Sequence, residues 1–417
     1  MTKGPMMERM PAVSLQRQWD RLMELAKLGA IPGNGVNRGC LTALDRQARR
    51  RMIAWAREIG ADVSIDEAAN LWIRRAGTDP DAAPVLTGSH MDSQPAGGRF
   101  DGMYGVMAGL ESLTGQHEAG IVTRRPIEVV AWTNEEGSRF APGCMGSMAW
   151  SGHSPLSTWA DVRDPDGIRF GEALAEHLAA EADLPRRPLG HRPHAYVEAH
   201  IEQGPLLENE GLDIGVVSGI QGSRWFTVTL TGDSAHAGTA PLSLRRDALQ
   251  DMVRAVTALN TLMHDPQDIL RFTVGRVVVE PNSSNSVAGR VTFTIDLRHP
   301  DGDVLIALGD QIDATIRAAV KHCEVALHES FRALPISFHE QVIGAVERAA
   351  AAEGLGHRRL PSGAFHDAQF AASIAPAGMI FVPCRKGISH NPAEYSSPEQ
   401  LDAGTRVLAR TLIELAA

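Results

Sequence analysis

Four short segments of this 417-residue chain end on side chains that bind metals or move protons. The first reads Val85-Leu86-Thr87-Gly88-Ser89-His90-Met91-Asp92-Ser93-Gln94 and continues through Gly97-Gly98-Arg99-Phe100-Asp101-Gly102. The second is Val129-Val130-Ala131-Trp132-Thr133-Asn134-Glu135-Glu136-Gly137. The third is Ala195-Tyr196-Val197-Glu198-Ala199-His200-Ile201-Glu202-Gln203-Gly204, and the fourth is Met379-Ile380-Phe381-Val382-Pro383 followed by Ser389-His390-Asn391-Pro392. In each, an apolar strand-like run gives way to His, Asp or Glu. Open α/β sheets bind ligands in the crevice beyond the carboxyl ends of their strands. Four such exits in one sheet point to a two-metal hydrolytic site.

The spacing adds detail. His90 and Asp92 are two apart, so a strand puts both on one face. A metal-bound His gives its other ring proton to a carboxylate, and the Asp92 side chain is expected to take it. Asp101 lies past a Gly-Gly turn that brings it back toward the same point. A lone strand histidine is more often an ordinary core or surface residue. The companion acids make that explanation insufficient here. Glu135 and Glu136 are neighbouring acids at the exit of a buried run. In a crevice such a pair persists only when cations neutralise it or one acid keeps a proton. One Glu as ligand and the other as proton shuttle meets both conditions. His90, Asp101, Glu136, His200 and His390 are therefore the candidate metal ligands. If Asp101 bridges, two ions each have three protein ligands and an open position, as catalytic sites do. Imidazole and carboxylate without thiolate suit zinc, manganese, cobalt or nickel.

Positioning these residues requires an alternation of strands and helices, and the chain supplies it. Helical periodicity runs through Trp19, Leu22 and Leu25, again over Ala43 to Ile59, and over Gly105 to Leu113. Strand-like and helical stretches alternate from Leu71 to His200, the pattern of an α/β layer structure. Near Ile214 the pattern changes. Phe226, Val228 and Leu230 interleave with Thr227, Thr229 and Thr231, and Val291, Phe293, Ile295 and Leu297 interleave with polar partners. Helix candidates span about Leu244 to Met263 and Val304 to His322. The order β-α-β-β-α-β suggests a ferredoxin-like α+β module. The expectation is a discontinuous α/β catalytic domain, residues 1–213 and 330–417, interrupted by a smaller insert at 214–329.

Composition narrows the class. The formal charge of −10 excludes nucleic acid and anionic membrane surfaces as expected partners. Cys40, Cys144, Cys323 and Cys384 form no C-x-x-C pair, which argues against thiolate metal binding and a disulfide framework. Met1 to Gln16 has no apolar core of a secretory signal, and no apolar run is long enough to span a bilayer. The expected location is cytoplasmic.

At these motifs the chain resembles the amidase, hydantoinase and carbamoylase family of the metal-dependent aminoacylase and carboxypeptidase superfamily. The resemblance rests on Gly88 to Gln94, Thr133 to Phe140 and His200 to Pro205. It extends through Ala235-His236-Ala237-Gly238-Thr239, Arg245 to Leu249, Asp296-Leu297-Arg298-His299-Pro300 and Gly387 to Pro392, from about Asn34 to the end. It implies a homodimer, two divalent ions per subunit and an insert that serves as lid and dimer contact. By the same resemblance His90, Asp101, Glu136, His200 and His390 match the ligands and Glu135 the general base. Gln203, His236, Asn285, Arg298 and His366 match substrate-contacting positions. The family cleaves ureido groups of N-carbamoyl-L-amino acids, N-carbamoyl-β-alanine and allantoate. Trp132-Thr133-Asn134 and Ser218-Gly219-Ile220-Gln221-Gly222 are closer to the carbamoyl-amino-acid branch. Phe365 stands where the family usually has glycine, beside His366.

The expected reaction is attack of a water, deprotonated by Glu135, on the carbamoyl carbon, with His236 steadying the oxyanion and Arg298 forking onto the substrate carboxylate. Asp92 supports the base and ligands. Allantoate or ureidoglycine hydrolysis on the same scaffold is the alternative. A metal-binding dimer without catalysis is a third reading, and retention of both Glu135 and Glu136 argues against it.

Overall fold

The structure is a computed structural model that describes residues 11–417, so most of the leading stretch considered for a signal lies outside the described residues. The chain divides into two compact units, one comprising residues 1–218 and 338–417 and the other 219–337.

The first unit is built on a mixed sheet. At its centre four strands run parallel in the order Ala377–Val382, Ala195–Ile201, Val85–His90, Ile127–Trp132. Every residue of the four is buried, which explains why they read as continuous apolar runs rather than alternating ones. Leu71–Arg75 and Asp62–Asp66 extend the sheet antiparallel beyond Ile127–Trp132, and Ile214–Ile220 pairs antiparallel with Ala377–Val382 on the other side. Parallel pairing has one functional consequence. His90 lies opposite Trp132, and His200 lies opposite Phe381, so all four carboxyl ends open on one edge.

Helices cover the sheet. Met103–Glu118 is buried along most of its length, which identifies it as a core helix. It starts at Gly102, whose backbone φ is 64° and where a Cβ would fall 2.3 Å from the His90 ring. Only glycine admits both that conformation and that ring. Pro398–Leu415 begins with a capping box formed by Ser397 and Gln400. Among the described residues no helix is long and apolar enough to cross a membrane.

The second unit has four long antiparallel strands in the order Arg271–Glu280, Arg290–His299, Gly222–Thr231, Glu324–Ala333. Helices Ala248–Leu262 and Gly302–Ala319 contribute Ala255, Leu259, Leu305, Ile312 and Ile316 to a core with Phe226, Val228, Leu230, Phe293 and Ile295. The opposite face carries Thr227, Thr229, Thr292 and Thr294 in cross-strand register. That division follows the period-two pattern of the sequence. Arg271–Glu280 departs from it, because both Val277 and Val278 are exposed.

Candidate functional site

The shared edge of the four parallel strands gathers a dense set of titratable groups. Asp101 lies among them with one carboxylate oxygen toward each of two groups. Its Oδ1 is 3.2 Å from His200 Nε2 and 3.8 Å from His90 Nε2. Its Oδ2 is 3.3 Å from His390 Nε2, which is itself 3.4 Å from Glu136 Oε2. His90, Asp101 and His200 form one potential ion-holding group, and Asp101, Glu136 and His390 another. A tetrahedral ion with bonds of about 2.1 Å spaces its ligand atoms about 3.4 Å apart. The four separations bracket that value, so the residues present fit two divalent ions sharing Asp101.

Ring orientation agrees with this fit. His90 Nδ1 lies 3.0 Å from the Asp92 carbonyl oxygen, and His200 Nδ1 lies 2.9 Å from the Ile201 carbonyl oxygen. Donating Nδ1–H to a carbonyl leaves the Nε2 lone pair facing the Asp101 carboxylate. Lone pair against lone pair is repulsive until a proton or a metal ion lies between them. The carboxylates are oriented as well. Glu136 receives the Gln94 backbone N–H on Oε1 (3.1 Å) and the Gln94 amide on Oε2 (2.7 Å). Asp101 Oδ2 receives the Gln203 amide at 3.1 Å.

Charge in the cluster needs a counterion. Burial, followed by repulsion from Asp101, pushes Glu136 up to about 8. Burial pushes Glu135 well above the carboxylate range, and Asp367 and Glu136 add to it. Asp101 moves the other way: burial opposes ionisation, but hydrogen bonds with His200 and His390 hold it well below the usual range. Burial opposes charge on His200, but its hydrogen bond to Asp101 and the charges of Asp101 and Glu198 together lift it to about 9, and His390 rises to about 9 chiefly through its own bond to Asp101. His90 falls to about 4 through burial. Protons therefore occupy the places a divalent cation needs, and the two compete for neutral imidazole and ionised carboxylate.

One detail differs from the sequence expectation. The Asp92 carboxylate is not the main partner of the His90 ring, since its Oδ1 lies 3.7 Å away. It instead accepts the backbone N–H groups of Glu135 and Glu136, each at 3.3 Å. Two converging amides orient the carboxylate, and the Asp92 carbonyl is left to take the ring proton.

Of the other expected residues, Glu135 is within this cluster, its Oε2 3.4 Å from His90 Nε2. Gln203 reaches both Asp101 and Ser389, while its Oε1 is buried with no partner. His366 is buried with its ring centroid 4.5 Å from that of His200, and its Nε2 is 3.0 Å from Ser362 Oγ. The second unit brings together two more. His236 and Ser286 are opposite one another on a short ribbon, and the Ala237 N–H donates to the Asn285 carbonyl at 2.9 Å. Arg298 lies on the helix-free face of that unit's sheet, where Asp296 accepts its Nη2 at 2.8 Å. Sequence reasoning missed Glu394 and Ser389, and left Gln94 without a role. Ser389 and Glu394 stand one residue before and four after His390, and that proximity was the available signal.

Comparison with known proteins follows this geometry. Residues 86–414 match the model of peptidase family M20/M25/M40. An N-carbamoyl-L-amino-acid amidohydrolase of Rhizobium meliloti is 40% identical over 97% of this chain and 97% of its own length. An allantoate amidohydrolase of Escherichia coli is 36% identical over 94% and 96%. The crystal structure of a hydantoinase/carbamoylase family amidase from Burkholderia multivorans superposes with a TM-score of 0.91 at 46% identity, covering 97% of this chain and 98% of that one. The chain belongs to the M20/M25/M40 family and, within it, to the hydantoinase/carbamoylase amidases. It is a hydrolase of C–N bonds other than peptide bonds.

Proposed function

We propose that this enzyme cleaves the ureido C–N bond of N-carbamoyl-L-amino acids, or of N-carbamoyl-β-alanine, giving the amino acid, carbon dioxide and ammonia. The observation that carries the reading is Asp101, with one carboxylate oxygen toward each of two histidine-containing groups and Glu135 alongside. The name of the Rhizobium meliloti relative supports the substrate class. His90, Asp101 and His200 would hold one divalent ion, and Asp101, Glu136 and His390 the other. Such ions supply Lewis acidity and lower the pKa of water toward neutrality.

The chain's own residues do the rest. Glu135 takes a proton from the attacking water and returns it to the amino-acid nitrogen as the C–N bond breaks. The carbamate released decomposes to carbon dioxide and ammonia. Asp92 fixes the backbone that carries the Glu pair. His236 is assigned to the oxyanion, Arg298 to the substrate carboxylate, and Gln203, Asn285 and His366 to the ureido and amino-acid groups. The strand order of the second unit, with two helices on one face, supports a ferredoxin-like lid. The family resemblance supports a homodimer in which that lid makes the contact.

Allantoate hydrolysis is the competing reading, favoured by the similarity to the Escherichia coli enzyme. A panel of N-carbamoyl-L-amino acids, N-carbamoyl-β-alanine and allantoate, each assayed with added zinc, manganese, cobalt or nickel, separates the two. The expected result is a higher kcat/KM for the carbamoyl amino acids. Preference for allantoate with every metal would reverse the assignment.

A further inference from the structure

We propose that Glu394 is a positioning residue that assembles the outer half of the metal centre by joining the turn carrying Asp101 to the loop carrying His390. The inference rests on the two-ion reading above. Glu394 is buried, and its Oε1 accepts the backbone N–H groups of Phe100 (2.9 Å) and Asp101 (3.1 Å). Its Oε2 accepts the Ser389 hydroxyl at 2.9 Å. One carboxylate thereby ties together two ligand-bearing segments almost three hundred positions apart.

Two features make room for it. A Cβ on Gly98 would fall 2.0 Å from the Glu394 carboxylate, so the Gly-Gly turn leaves the space that the carboxylate fills. The two amides it accepts stand just ahead of the helix Met103–Glu118, whose N-terminus favours an anion.

The hydroxyl of Ser389 explains how the effect reaches the ligands. It has one proton and two carboxylate neighbours, Glu394 Oε2 at 2.9 Å and Asp101 Oδ2 at 3.1 Å. When the Ser389 hydroxyl donates to Glu394, a lone pair of Asp101 Oδ2 stays open toward the His390 side. His390 needs such support more than the other ligands do. It is half exposed, and its backbone φ is 53°, a left-handed conformation uncommon for a non-glycine residue. His90 and His200 sit in buried strands, their rings held by the Asp92 and Ile201 carbonyls.

The test is calorimetric titration of apo-protein with Mn²⁺, alongside its melting temperature, for wild type, Glu394→Ala, Glu394→Gln and Ser389→Ala. Wild type is expected to take two ions. Glu394→Ala should keep the ion of the group containing His90 and His200 and weaken that of the group containing Glu136 and His390 about 10- to 100-fold, the range seen when an orienting partner of a metal ligand is lost. Glu394→Gln should recover part of that loss, because its amide oxygen still accepts the two backbone N–H groups. Unchanged affinity for both ions in Glu394→Ala would overturn the proposal, as would equal weakening of both with a lowered apo melting temperature. If Glu394→Ala does not fold, Ser389→Ala decides: weakening of the second ion alone supports the link, and unchanged binding removes it. A wild type that takes fewer than two ions fails the two-ion reading itself, and this proposal with it.

Discussion

In the first unit, the candidate ligands His90, Asp101 and His200 are buried, and both rings are fixed by backbone carbonyls. In the second unit, His236 and Asn285 stand exposed at a short ribbon, and Arg298 is partly exposed and paired with Asp296. The first arrangement holds its groups in fixed places, at the cost of crowding carboxylates that repel one another. The second keeps its polar groups exposed or paired at the surface, and if they contact substrate as proposed, they can do so without leaving buried charge unpaired. Rigid placement suits groups that hold ions and move protons, where small displacements are costly in rate. Exposed placement suits groups that recognise a substrate and then release the product.

Removing the base tests the rigid half most severely. Glu135→Gln should retain ion binding and lose about 100- to 10,000-fold in kcat, the usual contribution of a general base. Retention of more than about a tenth of kcat would remove Glu135 from that role. The exposed half is tested by mixing two inactive variants, Glu135→Ala and His236→Ala, under conditions that exchange subunits. If His236 serves the partner's site, half the dimers are mixed and each has one whole site, so activity should recover to about a quarter of wild type. Activity that stays at zero would place His236 in its own subunit's chemistry.

Arg298→Lys should act more mildly. A point charge replaces a planar fork, and losing one charge-assisted bond is worth about tenfold in KM with kcat little changed. An unchanged KM for a carboxylate-bearing substrate would leave Arg298 as the ion pair seen with Asp296. The smallest effect concerns the scaffold beneath the rigid half. Glu128, buried on the strand that delivers Glu135, accepts Arg74 at 2.7 Å, His191 at 3.1 Å and Arg187 at 3.3 Å. Burial opposes its ionisation, but these partners hold it at about 2. Its unfolded value is about 4.3, so its stabilisation is complete above that pH and is lost as pH falls toward the folded value. Glu128→Gln should therefore melt lower than wild type at neutral pH, with the gap narrowing from about pH 4 downward. A gap independent of pH would show that packing, not charge, is what Glu128 contributes.

The rigid half was the more legible in sequence, for a physical reason. Buried parallel strands such as Val85–His90 and Ile127–Trp132 must be continuously apolar, and a His or Glu pair at their exits stands out against that run. The alternation around Phe226 and Phe293 was equally plain, because one face of that sheet packs on helices. What escaped depends on partners remote in the chain. The Asp92 carboxylate turns to amides more than forty residues away, and Glu394 finds its donors at Phe100 and Asp101. No local pattern encodes such pairings. Arg271–Glu280 entered the reading only as a member of the β-α-β-β-α-β order and not by its residues, since exposed Val277 and Val278 break the alternation that would mark it.

The two-ion centre around Asp101 is tested most directly by titrating metal-free protein with Mn²⁺ while following turnover of an N-carbamoyl-L-amino acid, in wild type, His200→Ala and His390→Ala. Wild type is expected to bind two ions per chain and to gain activity as they bind. His200→Ala should lose the ion of the buried group and His390→Ala the ion of the group that includes the half-exposed histidine, each variant keeping one. Full activity in metal-free protein, or a single ion per wild-type chain that neither substitution disturbs, would contradict the account.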